Sequence, residues 1–254
     1  MAHIGIFDSG CGGLSVLREL LKAAPGEHYT YFSDNANCPY GEKSSEFIIR
    51  RSTEISSHLI ELGADIIVIA CNTATAAAIA SLRRRWPGLP FIGMEPAIKP
   101  AALMSRNKVV GVLATSSTLK ADKYLDNKKI WASDVKIAEH AGEGFVELVE
   151  SLELSGAHCE QTVRRSLEPL LEAGADTIVL GCTHYPFLLE TMRAIAGPRV
   201  NFIDPAPAVA RQLIHIMAEK NLPLSPKGEG KVDLECSGNP QTARKLLELA
   251  LNLA

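Results

Sequence analysis

Two cysteines of this chain stand at the same place in two copies of one segment. Gly63-Ala64-Asp65-Ile66-Ile67-Val68-Ile69-Ala70-Cys71-Asn72-Thr73 recurs 111 residues later as Gly174-Ala175-Asp176-Thr177-Ile178-Val179-Leu180-Gly181-Cys182-Thr183-His184, with six of eleven positions identical. A thiol is an acid and, once ionised, a base. Opposed across a tetrahedral carbon, two thiols suit a reaction that takes a proton from one face and returns one to the other. Inversion at a stereocentre needs such a pair, exchanging roles with direction. Cys71 and Cys182 are therefore expected to face each other across one substrate.

The neighbours of each thiol fit that chemistry. A cysteine at a strand end that opens a helix is placed to ionise, and thiol pKa values fall from about 8.5 to roughly 3.5–7.5 in such settings. A carbon acid is much weaker than a thiol, and each unit of mismatch costs about 1.4 kcal/mol. Desolvation and donors aimed at the carbanion must supply the difference. Asp8 on the first side, and His184 with Glu150 on the second, are the groups that could tune each thiol. Asn72, Thr73, Thr183 and His184 can cap helices or hold a ligand. Other readings of the same residues stay open. Asp8-Ser9 reads equally as a turn and N-cap, and Glu150 as a solvated helix carboxylate. Gly10-Cys11-Gly12 opens like a dinucleotide fingerprint with Asp34 as its ribose acid, although the third glycine falls at Ser15 and Asp8 would crowd a pyrophosphate. Cys182 with His184 could form the nucleophile and base of a thiol hydrolase. A two-lobed binding module would not need a thiol in each lobe.

Both cysteines follow short apolar runs that read as buried strands. Ile4–Phe7, followed by Asp8 to Gly13 and a helical pattern through Leu14, Leu17, Leu20 and Leu21, is strand, glycine-rich turn and helix. His28–Phe32 is a strand, and the loop carrying Pro39-Tyr40-Gly41 is long enough to be functional. Helices are expected over 45–62 and 74–86, the second stopped by Pro87-Gly88. The programme restarts at Val109–Leu113, which aligns with Ile4 onward at an offset of 106. A weaker strand near 135–138 precedes a helix carrying Phe145, Leu148, Val149 and Leu152, and helices are expected over 158–172 and 186–196. Phe91-Ile92 matches Phe202-Ile203, Pro96-Ala97 matches Pro207-Ala208, and Arg50-Arg51-Ser52 has a counterpart in Arg164-Arg165-Ser166. Matches in one order over such a length indicate duplication.

Alternating strands and helices predict an α/β protein of two similar open parallel-sheet domains related by a pseudo-two-fold axis, with the active site between them. The tail (helix 206–221, strand 231–236, helix 240–253) has no counterpart and is expected to return to the first domain. This gives residues 1–96 plus 208–254 as a discontinuous first domain, and 97–207 as the second.

The totals fit a globular chain that can bury a substantial core. The chain has 254 residues, 46% hydrophobic and 22% charged, with a formal net charge of −3. That balance argues against a protein that wraps nucleic acid. Arg83-Arg84-Arg85 reads as a basic helix end. No run approaches the roughly 18 apolar residues of a membrane span, and the N-terminus enters a strand pattern without a signal-peptide pattern. A cytoplasmic protein is expected. The six cysteines show no C-x-x-C and no close pairing, so neither a disulfide framework nor a zinc site is expected.

Taken together, Phe7-Asp8-Ser9-Gly10-Cys11-Gly12-Gly13-Leu14-Ser15-Val16, Pro39-Tyr40-Gly41, Ala70-Cys71-Asn72-Thr73-Ala74-Thr75-Ala76, Glu95-Pro96-Ala97 and Leu180-Gly181-Cys182-Thr183-His184-Tyr185-Pro186 make the sequence resemble glutamate racemases of the aspartate/glutamate racemase superfamily. The resemblance implies cofactor-free interconversion of L- and D-glutamate, feeding D-glutamate into peptidoglycan. It implies Cys71 and Cys182 as acid/base catalysts, assisted by Asp8, Glu150 and His184. Asp8, Ser9, Tyr40, Gly41, Asn72, Thr73, Thr183 and His184 match the family's substrate-binding positions. Glutamate is then the expected partner, with no nucleic acid, membrane or metal, and a homodimer is expected. One region departs from the pattern. Many members have Cys-Pro where this chain has His140-Ala141-Gly142-Glu143-Gly144, and the family's glutamate falls on Glu150 or on Glu147.

Overall fold

The computed structural model describes residues 1–131 and 134–252. It divides into two compact units, one formed by Met1–Met94 with Ala206–Ala254 and the other by Glu95–Pro205. The first unit opens with β1 (His3–Asp8), α1 (Leu14–Ala23), β2 (His28–Ser33), α2 (Ser45–Glu61), β3 (Ile66–Ile69), α3 (Asn72–Arg85) and β4 (Phe91–Ile92). The second runs α4 (Ile98–Met104), β5 (Val109–Ala114), α5 (Ser116–Lys120), α6 (Asp122–Trp131), β6 (Lys136–Ala141), α7 (Phe145–Glu150), α8 (Ala157–Glu172), β7 (Thr177–Gly181), α9 (Leu189–Ala196) and β8 (Asn201–Ile203). The chain then returns to the first unit with α10 (Ala206–Glu219), β9 (Lys231–Cys236) and α11 (Pro240–Asn252).

Among the described residues the strands form a five-stranded sheet, β4-β3-β1-β2-β9, and a four-stranded sheet, β6-β5-β7-β8. Every pairing is parallel. Read from its other end, the second sheet repeats the first four strands of the first, and the register repeats as well. Ile4 faces Ile66 where Val110 faces Thr177, and Ile67 faces Phe91 where Ile178 faces Phe202. The duplication thus extends from residue types to strand pairing.

The repeated Gly-Ala-Asp has a mechanical meaning. Gly63 and Gly174 take left-handed φ values of 92° and 91° just beyond α2 and α8. At each end the alanine N–H bonds to the carbonyl five residues back (Ala64 to Leu59, Ala175 to Leu170, both 3.1 Å), while the glycine N–H closes the inner turn. This pair of bonds satisfies helix-end carbonyls and turns the chain directly into the next strand. The aspartate then ties that strand to its neighbour. Asp65 accepts from the His3 N–H at 2.9 Å, and Asp176 from the N–H groups of Arg106 and Asn107 at 2.8 Å. β3 and β7, which carry the cysteines, are buried along their whole length.

The structure departs from the expected helices at two places. Leu152 lies outside α7, at a left-handed φ of 63°. The segment after Cys182 is not one helix from 186 but a 3₁₀ turn, Tyr185–Leu188, followed by α9. Among the described residues no helix is long and apolar enough to cross a membrane.

Candidate active site

In parallel sheets the carboxyl ends of all strands share one edge, which is where open α/β folds bind ligands. Asp8, Asp34 and Cys71 occupy that edge in the first unit, and Thr115 and Cys182 in the second.

Cys71 is the N-cap of α3. Its Sγ accepts the Ala74 N–H at 3.4 Å, so sulfur stands where a capping oxygen commonly does. The thiol also donates to Ser9 Oγ at 3.6 Å, and Ser9 in turn donates to Asp8 Oδ1 at 3.4 Å. Asp8 is fully buried, and its other oxygen accepts the Gly13 N–H at 2.8 Å. Cys71, Ser9 and Asp8 thus form one chain of polar contacts. Asn72 and Thr73 are buried beside them, and among the described residues neither polar atom of the Asn72 amide has a hydrogen-bond partner. Tyr40 shares a buried cluster with Cys71, and Gly41 follows it in a 3₁₀ turn.

The second thiol keeps different company. Cys182 precedes a turn rather than opening an α-helix, which corrects the expected helix N-terminus at this position. His184 Nδ1 lies 3.7 Å from Cys182 Sγ, and His184 Nε2 lies 2.7 Å from Glu150 Oε1. With Nε2–H donated to the carboxylate, a neutral ring presents the Nδ1 lone pair to the thiol. Glu150, at the last position of α7, carries this bond; Glu147 is in the first turn of that helix. Tyr185 is fully buried and packs edge-on against Phe145 at 5.0 Å, joining the turn after Cys182 to the helix that carries Glu150. Burial pushes the Tyr185 phenol well above its ordinary pKa, and its O–H reaches the Gly142 carbonyl at 3.5 Å. Thr183 is buried beside the thiol, and Thr115 instead caps α5 through Thr118 N at 3.2 Å.

The dinucleotide reading fails on this geometry. The Asp8 carboxylate fills the turn at the start of α1, where a pyrophosphate would sit. Asp34 is fully buried and engaged by Tyr40 and Arg51, so it has no face for a ribose. A cleft of about 550 Å³ in the second unit, lined by Arg106, Asp176, Arg199 and Asn201, opens at the amino ends of the strands and contains neither thiol.

The model of the Asp/Glu/hydantoin racemase family matches residues 4–213. The chain belongs to that family. It is accordingly an isomerase of the amino-acid racemase class. A glutamate racemase of Roseiflexus sp. (strain RS-1) is 45% identical over 245 residues, covering 96% of this racemase and 90% of that protein. Among solved structures, glutamate racemase from Francisella tularensis in complex with D-glutamate superposes with a TM-score of 0.84 at 28% identity, covering 99% of this chain and 94% of that one. The Escherichia coli enzyme, in complex with L-glutamate and the activator UDP-MurNAc-ala, gives a TM-score of 0.86 at 33% identity with the same coverage.

Proposed function

We propose that this racemase interconverts L- and D-glutamate without a cofactor, using Cys71 and Cys182 as its two acid/base groups. The observation that carries the reading is the pair of thiols at matching ends of β3 and β7, in a chain whose relatives are glutamate racemases. One thiolate removes the α-proton, and the other thiol protonates the opposite face of the resulting carbanion. For the reverse reaction the roles exchange. Asp8 through Ser9, and Glu150 through His184, assist the two thiols from their separate sides. The Asn72 amide, the Thr73 and Thr183 hydroxyls and the Tyr40–Gly41 turn hold the amino acid's polar groups. Its carboxylates suit the N–H groups at the start of α3. D-glutamate made here supplies peptidoglycan synthesis.

The purified protein, with no cofactor added and a reducing agent present, is expected to racemise L-glutamate and exchange its α-hydrogen with solvent deuterium. Unchanged optical activity would sink this reading, and dependence on an added nicotinamide would replace it. Either Cys71→Ala or Cys182→Ala is expected to lower net racemisation by at least about 10²-fold, the range for a positioned acid or base. The cellular role is tested by rescue of a D-glutamate auxotroph.

A further inference from the structure

We propose that Asp34 is a positioning residue for this reaction: its carboxylate clamps the Tyr40 phenol and so fixes the Tyr40–Gly41 backbone as a substrate-binding edge. The inference rests on the glutamate-racemase reading above, which makes Tyr40 and Gly41 substrate contacts.

Asp34 is wholly buried, a costly place for a carboxylate unless its oxygens are paired and bonded. Tyr40, Arg51, Asn37 and Ser237 all hydrogen-bond to it. Tyr40 O–H donates to Oδ2 at 2.6 Å, Arg51 forks across both oxygens at 3.1 and 2.6 Å, and Asn37 donates to Oδ1 at 3.0 Å. Burial alone would raise the Asp34 carboxyl, but these donors outweigh it and hold the group below the usual carboxylate range. Burial, then the hydrogen bond to Asp34, pushes the Tyr40 phenol well up, so it stays an O–H donor.

The position of Asp34 gives the clamp its purpose. Its own N–H bonds to the Asp8 carbonyl at 3.0 Å, at the end of β1. One residue thus links the strand that presents Asp8 and Ser9 to the loop that presents Tyr40 and Gly41, and through Arg51 to α2. The main chain of the same loop is tied as well by Asn37 N–H to the Asp34 carbonyl, Ala36 N–H to Ser237 Oγ and Lys43 N–H to the Tyr40 carbonyl. An apolar trio would fill the same space and is often no less stable than a buried ion pair. What the charged fork adds is direction.

The test uses the full-length chain as wild type, Tyr40→Phe, Asp34→Asn and the double variant, with kcat and KM for L-glutamate and a melting curve for each. Tyr40→Phe keeps the ring and deletes only the clamp's O–H. Its KM is expected to rise about tenfold or more with kcat within about threefold, and its melting temperature to fall by a few degrees because the buried carboxylate loses one donor, so the kinetics are read well below that melting temperature. Asp34→Asn is expected to shift KM in the same direction, and the double variant to be no worse than Asp34→Asn, because the two groups act as a unit. KM within about twofold of wild type in Tyr40→Phe overturns the inference, and that measurement stands even if Asp34→Asn folds poorly. A wild type that does not racemise glutamate overturns the reading of the reaction and this inference with it.

Discussion

At the scale of single residues, the two thiols occupy matching positions in different surroundings. Cys71 has a helix-start N–H at 3.4 Å and a hydroxyl at 3.6 Å, whereas Cys182 has an imidazole at 3.7 Å backed by a carboxylate. On the proposed mechanism, His184→Asn should lower kcat by about 10²–10⁴. Glu150→Gln keeps a neutral acceptor for the imidazole N–H and should cost less, about tenfold, while Glu147→Gln should leave kcat/KM within about twofold. Steady-state rates for the three variants check this ordering, and equal losses in both glutamate variants would refute the assignment of Glu150. Asn72→Ala makes a sharper test. The amide has no partner among the described residues, so removing it should leave the free protein melting no lower than wild type. If the amide binds substrate, KM should rise by about 2–10-fold, the worth of one hydrogen bond.

At the scale of elements, the helix-ending glycines and the first strand pair carry separable effects. A Cβ at Gly63 or Gly174 would meet nothing closer than 3.9 Å, so the cost of alanine there is backbone conformation alone. Gly63→Ala and Gly174→Ala should each lose about 1 kcal/mol in denaturant unfolding, with kinetics unchanged. At the start of β1 and β2, His3 and His28 stack at 3.9 Å between ring centroids, and His3 Nε2 lies 2.8 Å from Thr30 Oγ1. Burial, and next the neighbouring His28, lowers the His3 pKa. A histidine whose folded value is depressed contributes stability that is complete above its ordinary value of about 6.5 and is lost as pH falls through the lowered one. Melting temperature should therefore drop on acidification below about pH 6.5, and His3→Gln should flatten that drop.

The strands and helices with strong apolar periodicity were legible in the chain, and so was the repeat that located both cysteines. α5 and α6 were not. In Asp122–Trp131 only Tyr124 is buried, so no apolar stripe announces a helix. β6 was legible only in part for a related reason. Among the described residues it pairs with β5 alone and none of its six residues is fully buried, which leaves exposed Glu139 and half-buried His140 inside the strand. The company of each thiol was the least legible feature. The spacing of Asp34 allows a ribose reading because nothing in it reveals that Arg51 and Tyr40 fold onto the carboxylate, and the residues after Cys182 read as a helix because Pro186 is equally at home in a 3₁₀ turn.

At the scale of the whole molecule, the second unit is one continuous stretch and the first is not. β2 pairs with β1 on one side and β9 on the other, and α1 packs against α10 and α11. A fragment of residues 95–205 should fold alone, with cooperative melting by circular dichroism. A fragment of residues 1–94 should not, because the edge of β2 and one face of α1 are left uncovered; supplying residues 206–254 in trans should restore protection of β2 amides from hydrogen exchange.

The late return of β9 also sets an order of events on the ribosome. At about 5–20 residues per second, the stretch from the end of β2 at Ser33 to the end of β9 at Cys236 takes roughly 10–40 s to make. During that interval β2 (His-Tyr-Thr-Tyr-Phe-Ser) waits as an open strand edge, the kind of surface that recruits other chains. The nascent enzyme is therefore most vulnerable to aggregation before its last strand is made, and a chaperone acting on it should bind chains stalled between residues 100 and 230 in preference to the finished protein.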